Sequence, residues 1–160
     1  MASSPEPQEK ILIETIPSQD TWAFRQKVLL PHLSVEECRF SNDNMSGSFH
    51  LGAFVEGKLT GVASFYPEIN ENIAYSGKNP YRLRQMGTLP EMQKQGIARK
   101  LLDTAVSYLQ MKNCELLWCH AREKAFPFYE KMGFTYQSDL FDVPNIGPHR
   151  LMTLDVPPMD

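Results

Sequence analysis

The sequence predicts a mixed α/β fold, and three observations carry that expectation. Two apolar runs with strand patterning, Phe49 to Val55 and Leu59 to Tyr66, are separated only by Glu56, Gly57 and Lys58, the spacing of a β-hairpin. From Gly96 onward the apolar period becomes helical, with Ala98, Leu101, Leu102, Ala105 and Leu109 on one stripe. Strand patterns then resume towards the C-terminus. The 160 residues, 42% hydrophobic and 22% charged, suffice for one domain with its own core and are too few for two ordinary ones.

Residues 1 to 9 are polar, with Pro5 and Pro7, and read as a disordered tail ahead of a single domain over residues 10–160. Lys10 to Ile16 (KILIETI) is dense in β-branched residues, a first strand. Ser18 can cap a helix from about Gln19 to Leu30, which Pro31 stops. Ser34 to Ser48 is polar with weak period, a short helix plus loop. The hairpin follows, then a long polar loop from Pro67 to Pro80 and a strand from Tyr81 to Leu89. The long helix ends at Asn113. Glu115 to His120 (ELLWCH) is an apolar run of the buried-strand kind. A brief helix places Ala125, Tyr129 and Met132 on one face, and Gly133 stops it. Phe134 to Val143 and Arg150 to Val156 close the chain as two strands around Pro144 and Pro148.

Composition excludes several classes of function. A net charge of −3 argues against a nucleic-acid binder that relies on bulk positive charge. No apolar run is long enough to span a membrane, and the start MASSPEPQEK has no apolar signal region. The three cysteines, Cys38, Cys114 and Cys119, cannot all pair, and none sits at metal-ligand spacing. The expectation is a cytoplasmic protein, monomeric or homodimeric, without metal, nucleic-acid or membrane partners.

The most informative segment is Met86 to Arg99 (MGTLPEMQKQGIAR), a strand leading through a sharp polar turn into the long helix. A helix N-terminus offers unpaired N–H groups and the positive end of the helix dipole, which suits phosphate. Gly96 lets a diphosphate approach the backbone, and small Ala98 keeps that approach open. Taken alone, the same residues also fit a tight turn into a packed helix. The segment is neither a P-loop nor a dinucleotide fingerprint, since no Gly-Lys-Ser/Thr follows and only one glycine falls in the turn.

In its context, Thr88-x-Pro90-x-x-Gln93-x-x-Gly96-x-Ala98 resembles the acetyl-CoA-binding motif of the GNAT N-acetyltransferases. Ala125 to Phe134 (AFPFYEKMGF) is similar to that family's second signature. Within the family, SFHLGAFVEGKLTGVASF, YRLRQMGTL, ELLWCHAR and VPNIGPHRLM resemble the bacterial glyphosate N-acetyltransferases, in collinear order. The resemblance implies the GNAT fold, a mixed and mostly antiparallel sheet flanked by helices. It also implies acetyl transfer from acetyl-CoA to a primary or secondary amine of a small anionic substrate. Cofactor contacts are then expected from Met86, Gly87, Thr88, Gln93, Lys94, Gln95, Gly96, Ile97, Ala98 and Arg99. A β-bulge is expected near Thr88, with the Met86 or Gly87 N–H directed at the thioester oxygen.

By the same resemblance, His149 in IGPHRLM is the general base, and Tyr129 donates the proton to the departing thiolate. An imidazole suits that role because it titrates close to neutral pH. Without the resemblance, His149 reads first as a solvated surface loop histidine, and Tyr129 also fits a core tyrosine on an apolar face. His32, His50 and His120 have no such support and read as structural or surface residues. Arg84 and Arg122 coincide with arginines that hold the substrate anion, and a guanidinium fork suits a carboxylate or phosphonate. The relatives carry a further arginine where this chain has Leu30, and Lys27 on the same helix face partly substitutes for it. A protein or peptide N-acetyltransferase and a non-catalytic acyl-CoA sensor are the alternative readings.

Overall fold

The computed structural model describes residues 10–73 and 78–159. The expected tail over residues 1–9 lies outside them. Eight strands form one sheet: β1 (Ile11–Ile16), β2 (Phe49–Val55), β3 (Lys58–Pro67), β4 (Tyr81–Thr88), β5 (Leu116–Arg122), β6 (Thr135–Tyr136), β7 (Phe141–Val143) and β8 (Gly147–Asp155). Their spatial order is β1-β2-β3-β4-β5-β8-β6, with β7 also on β8. Every neighbouring pair is antiparallel except β4 and β5.

Side chains of alternate parity divide this sheet into two faces. Leu51, Ala53, Ala63, Phe65, Leu83, Leu117, Cys119, Ala121 and Met152 join one core with helix α2 (Ile97–Met111), whose Ile97, Leu101, Leu102, Ala105 and Leu109 are buried. Each large aliphatic side chain on that stripe contributes about 1.5–3 kcal/mol through burial. Helix α3 (Phe126–Lys131) adds Tyr129 to the same core. Helix α1 (Gln19–Phe24) serves the opposite face, where Phe24 meets Val62 and Leu89.

The first helix differs from expectation in two respects. Ser18 is in helical conformation and makes no side-chain cap; its hydroxyl donates to Asn44 Oδ1 instead. The α-helix also stops at Phe24, and Arg25–Leu29 forms a π-turn closed by the Leu30 N–H on the Arg25 carbonyl. The cause is Arg25, which is wholly buried. Its guanidinium donates to both Asp43 carboxylate oxygens, the Cys38 carbonyl, the Ser64 hydroxyl and the Tyr66 hydroxyl. Ser64 is bonded to His50 Nδ1, and the Asp43 carbonyl accepts from His50 Nε2. Burial alone would raise the Asp43 carboxyl, but the hydrogen bonds from Arg25, Tyr66 and the Phe40 N–H hold it at about 2. This network anchors the π-turn to β2 and β3.

The C-terminal region also departs from the expected two strands. Phe134 to Val143 divides into β6 and β7, and just past β6 the Gln137 N–H donates to the Leu151 carbonyl. The last strand begins at Gly147 rather than Arg150, so His149 lies inside β8 and not in a loop. Pro148 is tolerated there, beside Asp142 of the short β7, because it removes only one backbone donor.

Candidate active site

The sheet opens between β4 and β5. They pair only at Tyr81 with Leu117 and Arg82 with Trp118, and part beyond that point. Across the other edge of β4, Gly87 pairs with Val62 and Arg84 with Ser64, so Gln85 and Met86 together oppose Ala63. That two-against-one count is a β-bulge, and Gln85 sits there with φ of +55°. The bulge therefore lies upstream of the expected Thr88 position. A cleft of about 1210 Å³ follows the gap, reaching from the α2 N-terminus to β8.

At one end, Gly96 precedes α2 in left-handed conformation, with φ of +84° and no side-chain cap. A Cβ at Gly96 would meet nothing within 4 Å, so the backbone there is open to a ligand. Gln93, Lys94, Gly96, Ile97, Ala98 and Arg99 line this end, with Lys94 and Arg99 adding positive charge. Gln95 lies in the turn but is not among the lining residues; its amide donates to the Glu91 carbonyl. Uncapped N–H groups, a helix dipole and two cations fit a diphosphate. Met86, Gly87 and Thr88 continue the lining along β4.

At the other end, parity places Arg82 and Arg84 of β4 and His120 and Arg122 of β5 on the α1 face, and Arg122 pairs with His149 of β8. His149 is 5% exposed and stacks with Phe141. Its Nδ1 lies 2.8 Å from the Gly147 carbonyl, which only accepts, so Nδ1 carries the hydrogen. The lone pair of the neutral ring is therefore on Nε2, which has no hydrogen-bond partner among the described residues. Arg84 lies 4.8 Å from the Phe40 ring centroid, and burial lowers its pKa. Among the described residues it has neither an ion pair nor a hydrogen bond. Arg122 donates one bond, at 3.3 Å, to the Leu29 carbonyl.

Tyr129 reaches the cleft from the α2 face, beside Cys119. Burial and the adjacent thiol push its phenol well above the ordinary range, so it stays protonated. Burial likewise pushes the Cys119 thiol up to about 12, which leaves a poor nucleophile. Two expected residues are placed elsewhere. Leu30 is 3% exposed in the core, and Lys27 is exposed to solvent outside the lining, because the π-turn rotates the two away from a shared face.

The structure also brings to the cleft Arg82, which the sequence did not single out, and His120, which reads from sequence as structural or surface. Arg82 donates to Glu68 at 2.9 Å and to His120 Nδ1 at 3.3 Å, and lies over the Trp118 ring. The parity of RLR and WCHAR is the signal that marks them, since it puts both on the face of Arg84 and Arg122. Burial, reinforced by Arg82, His149 and Arg84, lowers the His120 pKa to about 4. The unfolded chain protonates this imidazole near 6.5, whereas the folded chain resists until about 4. Stability contributed by neutral His120 is thus present above 6.5 and lost as pH falls from 6.5 to 4. The melting temperature is expected to fall over that interval, and His120→Gln should flatten the decline. An unchanged slope would show that His120 does not titrate in this way.

The chain belongs to the acetyltransferase (GNAT) family, whose model matches residues 14–134. It is 36% identical over 140 residues to the uncharacterized N-acetyltransferase YitI of Bacillus subtilis (strain 168), covering 88% of this chain and 93% of that protein. The fold is similar to an aminoglycoside 6'-N-acetyltransferase complexed with coenzyme A, with TM-score 0.70, 14% identity and coverage of 93% and 99% of the two chains. It is also similar to the ribosomal-protein-S18-alanine N-acetyltransferase from Escherichia coli, with TM-score 0.69, 17% identity and coverage of 94% and 96%. The protein is an acetyl-CoA-dependent N-acetyltransferase with the GNAT fold. Among the described residues no helix is long and apolar enough to cross a membrane.

Proposed function

We propose that the acceptor is a small amine bearing an anionic group, as in the glyphosate N-acetyltransferases that the sequence resembles, and that His149 is the base. The observation that carries this is the pairing of Arg122 with His149 on adjacent strands, with the tautomer that leaves Nε2 open. Arg84 and Arg122 hold the anion, which brings the amine to His149. His149 Nε2 then takes the amine proton as the nitrogen bonds to the acetyl carbonyl. Acetyl-CoA supplies a thioester carbonyl and a thiolate leaving group. The Met86 or Gly87 N–H on the bulged strand stabilises charge on the carbonyl oxygen. Tyr129, kept protonated by burial, gives its proton to the sulfur. Transfer is direct, since the Cys119 thiol is neutral and buried.

Steady-state kinetics of Tyr129→Phe tests this arrangement. The ring remains in its aromatic contacts with Phe128 and Phe134, and only the hydroxyl is lost. We expect kcat to fall by about 10², the lower end for a general acid, with acetyl-CoA affinity intact. Normal turnover would make Tyr129 a packing residue.

A further inference from the structure

We propose that the acceptor joins its single carboxylate to an apolar side chain, as leucine does, and that Leu29 is the residue that selects that side chain. The proposal rests on the anion-binding reading of the same cleft and specifies what lies beyond the anion. The α1 side of the cleft is walled by Val28 and Leu29 of the π-turn and by Val143 and Ile146 beside β8. Ile146 is 37% exposed and Val143 and Leu29 are half-buried, so each leaves part of its apolar surface open at the cleft.

Leu29 occupies the decisive position. Its carbonyl accepts from Arg122 Nη2, and its side chain lies over Gly87, where a Cβ would come within 2.8–3.1 Å of three Leu29 carbons. One residue thus touches both the anion-binding arginine and the bulged strand expected at the thioester. A carboxylate on Arg122 and an amine at His149 leave the third substituent of the substrate carbon against this wall. Among the described residues, Asp103 is the only carboxylate lining the cleft, and it stands beside Arg99 on α2, at the opposite end. A cationic side chain therefore finds no counter-charge near Leu29. A second anion finds no free fork there either among the described residues, because Arg82 is already paired with Glu68, Leu30 is in the core and Lys27 lies outside the lining.

Each methylene moved from water onto apolar surface favours binding by about fourfold. Initial rates of CoA thiol release on the full chain, with L-leucine, L-alanine, L-aspartate and 3-methylbutylamine, test the proposal. We expect kcat/KM for leucine to exceed that for alanine and aspartate at least tenfold, and to exceed that for 3-methylbutylamine, which lacks the carboxylate, at least tenfold. Leu29→Arg should reverse the order of leucine and aspartate, and Leu29→Ala should narrow the advantage over alanine. If the parent acetylates alanine or aspartate as well as leucine, the apolar selection is wrong while the anion reading stands. If 3-methylbutylamine equals leucine, or no amine is acetylated, the anion reading fails and this inference fails with it. The comparison on the parent protein decides the matter even where a variant does not fold.

Discussion

Replacing His149 with alanine is expected to lower kcat by about 10²–10⁴, the usual contribution of a positioned general base. The expectation follows from two neighbours. The Gly147 carbonyl fixes Nδ1–H, and Phe141 fixes the plane of the ring, so the Nε2 lone pair has one direction. Alanine removes the lone pair but none of the cofactor-end lining, so acetyl-CoA affinity should be preserved. His120 is poorly placed to substitute, because its Nδ1 already faces Arg82 and its pKa is lowered to about 4. Near-normal kcat in His149→Ala would make this histidine structural.

Gly96→Asp is expected to weaken acetyl-CoA binding severely while the protein remains folded. The position has φ of +84°, a region that aspartate and asparagine tolerate better than other side chains, and no atom within 4 Å of the new Cβ. The loss comes from charge. Two unit charges 4 Å apart repel by about 1 kcal/mol in water and about 4 kcal/mol near a protein surface, or roughly fivefold to several hundredfold in affinity. Gly96→Asn has the same shape and backbone demand without the charge and should bind nearly as well as the parent. Calorimetry on the pair separates electrostatics from strain. Equal affinities for the aspartate and asparagine variants would remove the diphosphate from this turn.

Much of this architecture is legible in the sequence because it is local. The hairpin around Glu56 and Gly57, the α2 stripe and the polar turn before Ile97 all depend on residues within a few positions of one another. The interactions that shape the acceptor wall do not. Arg25 meets Asp43, Ser64 and Tyr66 across 18 to 41 positions, and that network converts the end of the first helix into a π-turn. Helical periodicity therefore put Lys27 and Leu30 on a common cleft face, whereas the extra residue in the turn brings Val28 and Leu29 there instead. His149 read as a loop residue because Gly147 and Pro148 interrupt strand patterning. Its place in β8 is set by pairing with Arg122 and Phe141. The meeting of Arg82 with His120 is not legible locally because it spans 38 positions, although strand parity alone puts each on the same face as the arginine two residues on.

The most direct measurement is the product formed when the protein is mixed with acetyl-CoA and L-leucine, followed by mass spectrometry alongside the release of free thiol. N-acetylleucine is expected in one-to-one ratio with CoA thiol, with the protein chain of unchanged mass throughout turnover. Thiol release without an N-acetylated amino acid, or an acetyl group accumulating on the protein, would contradict direct transfer to a carboxylate-bearing amine.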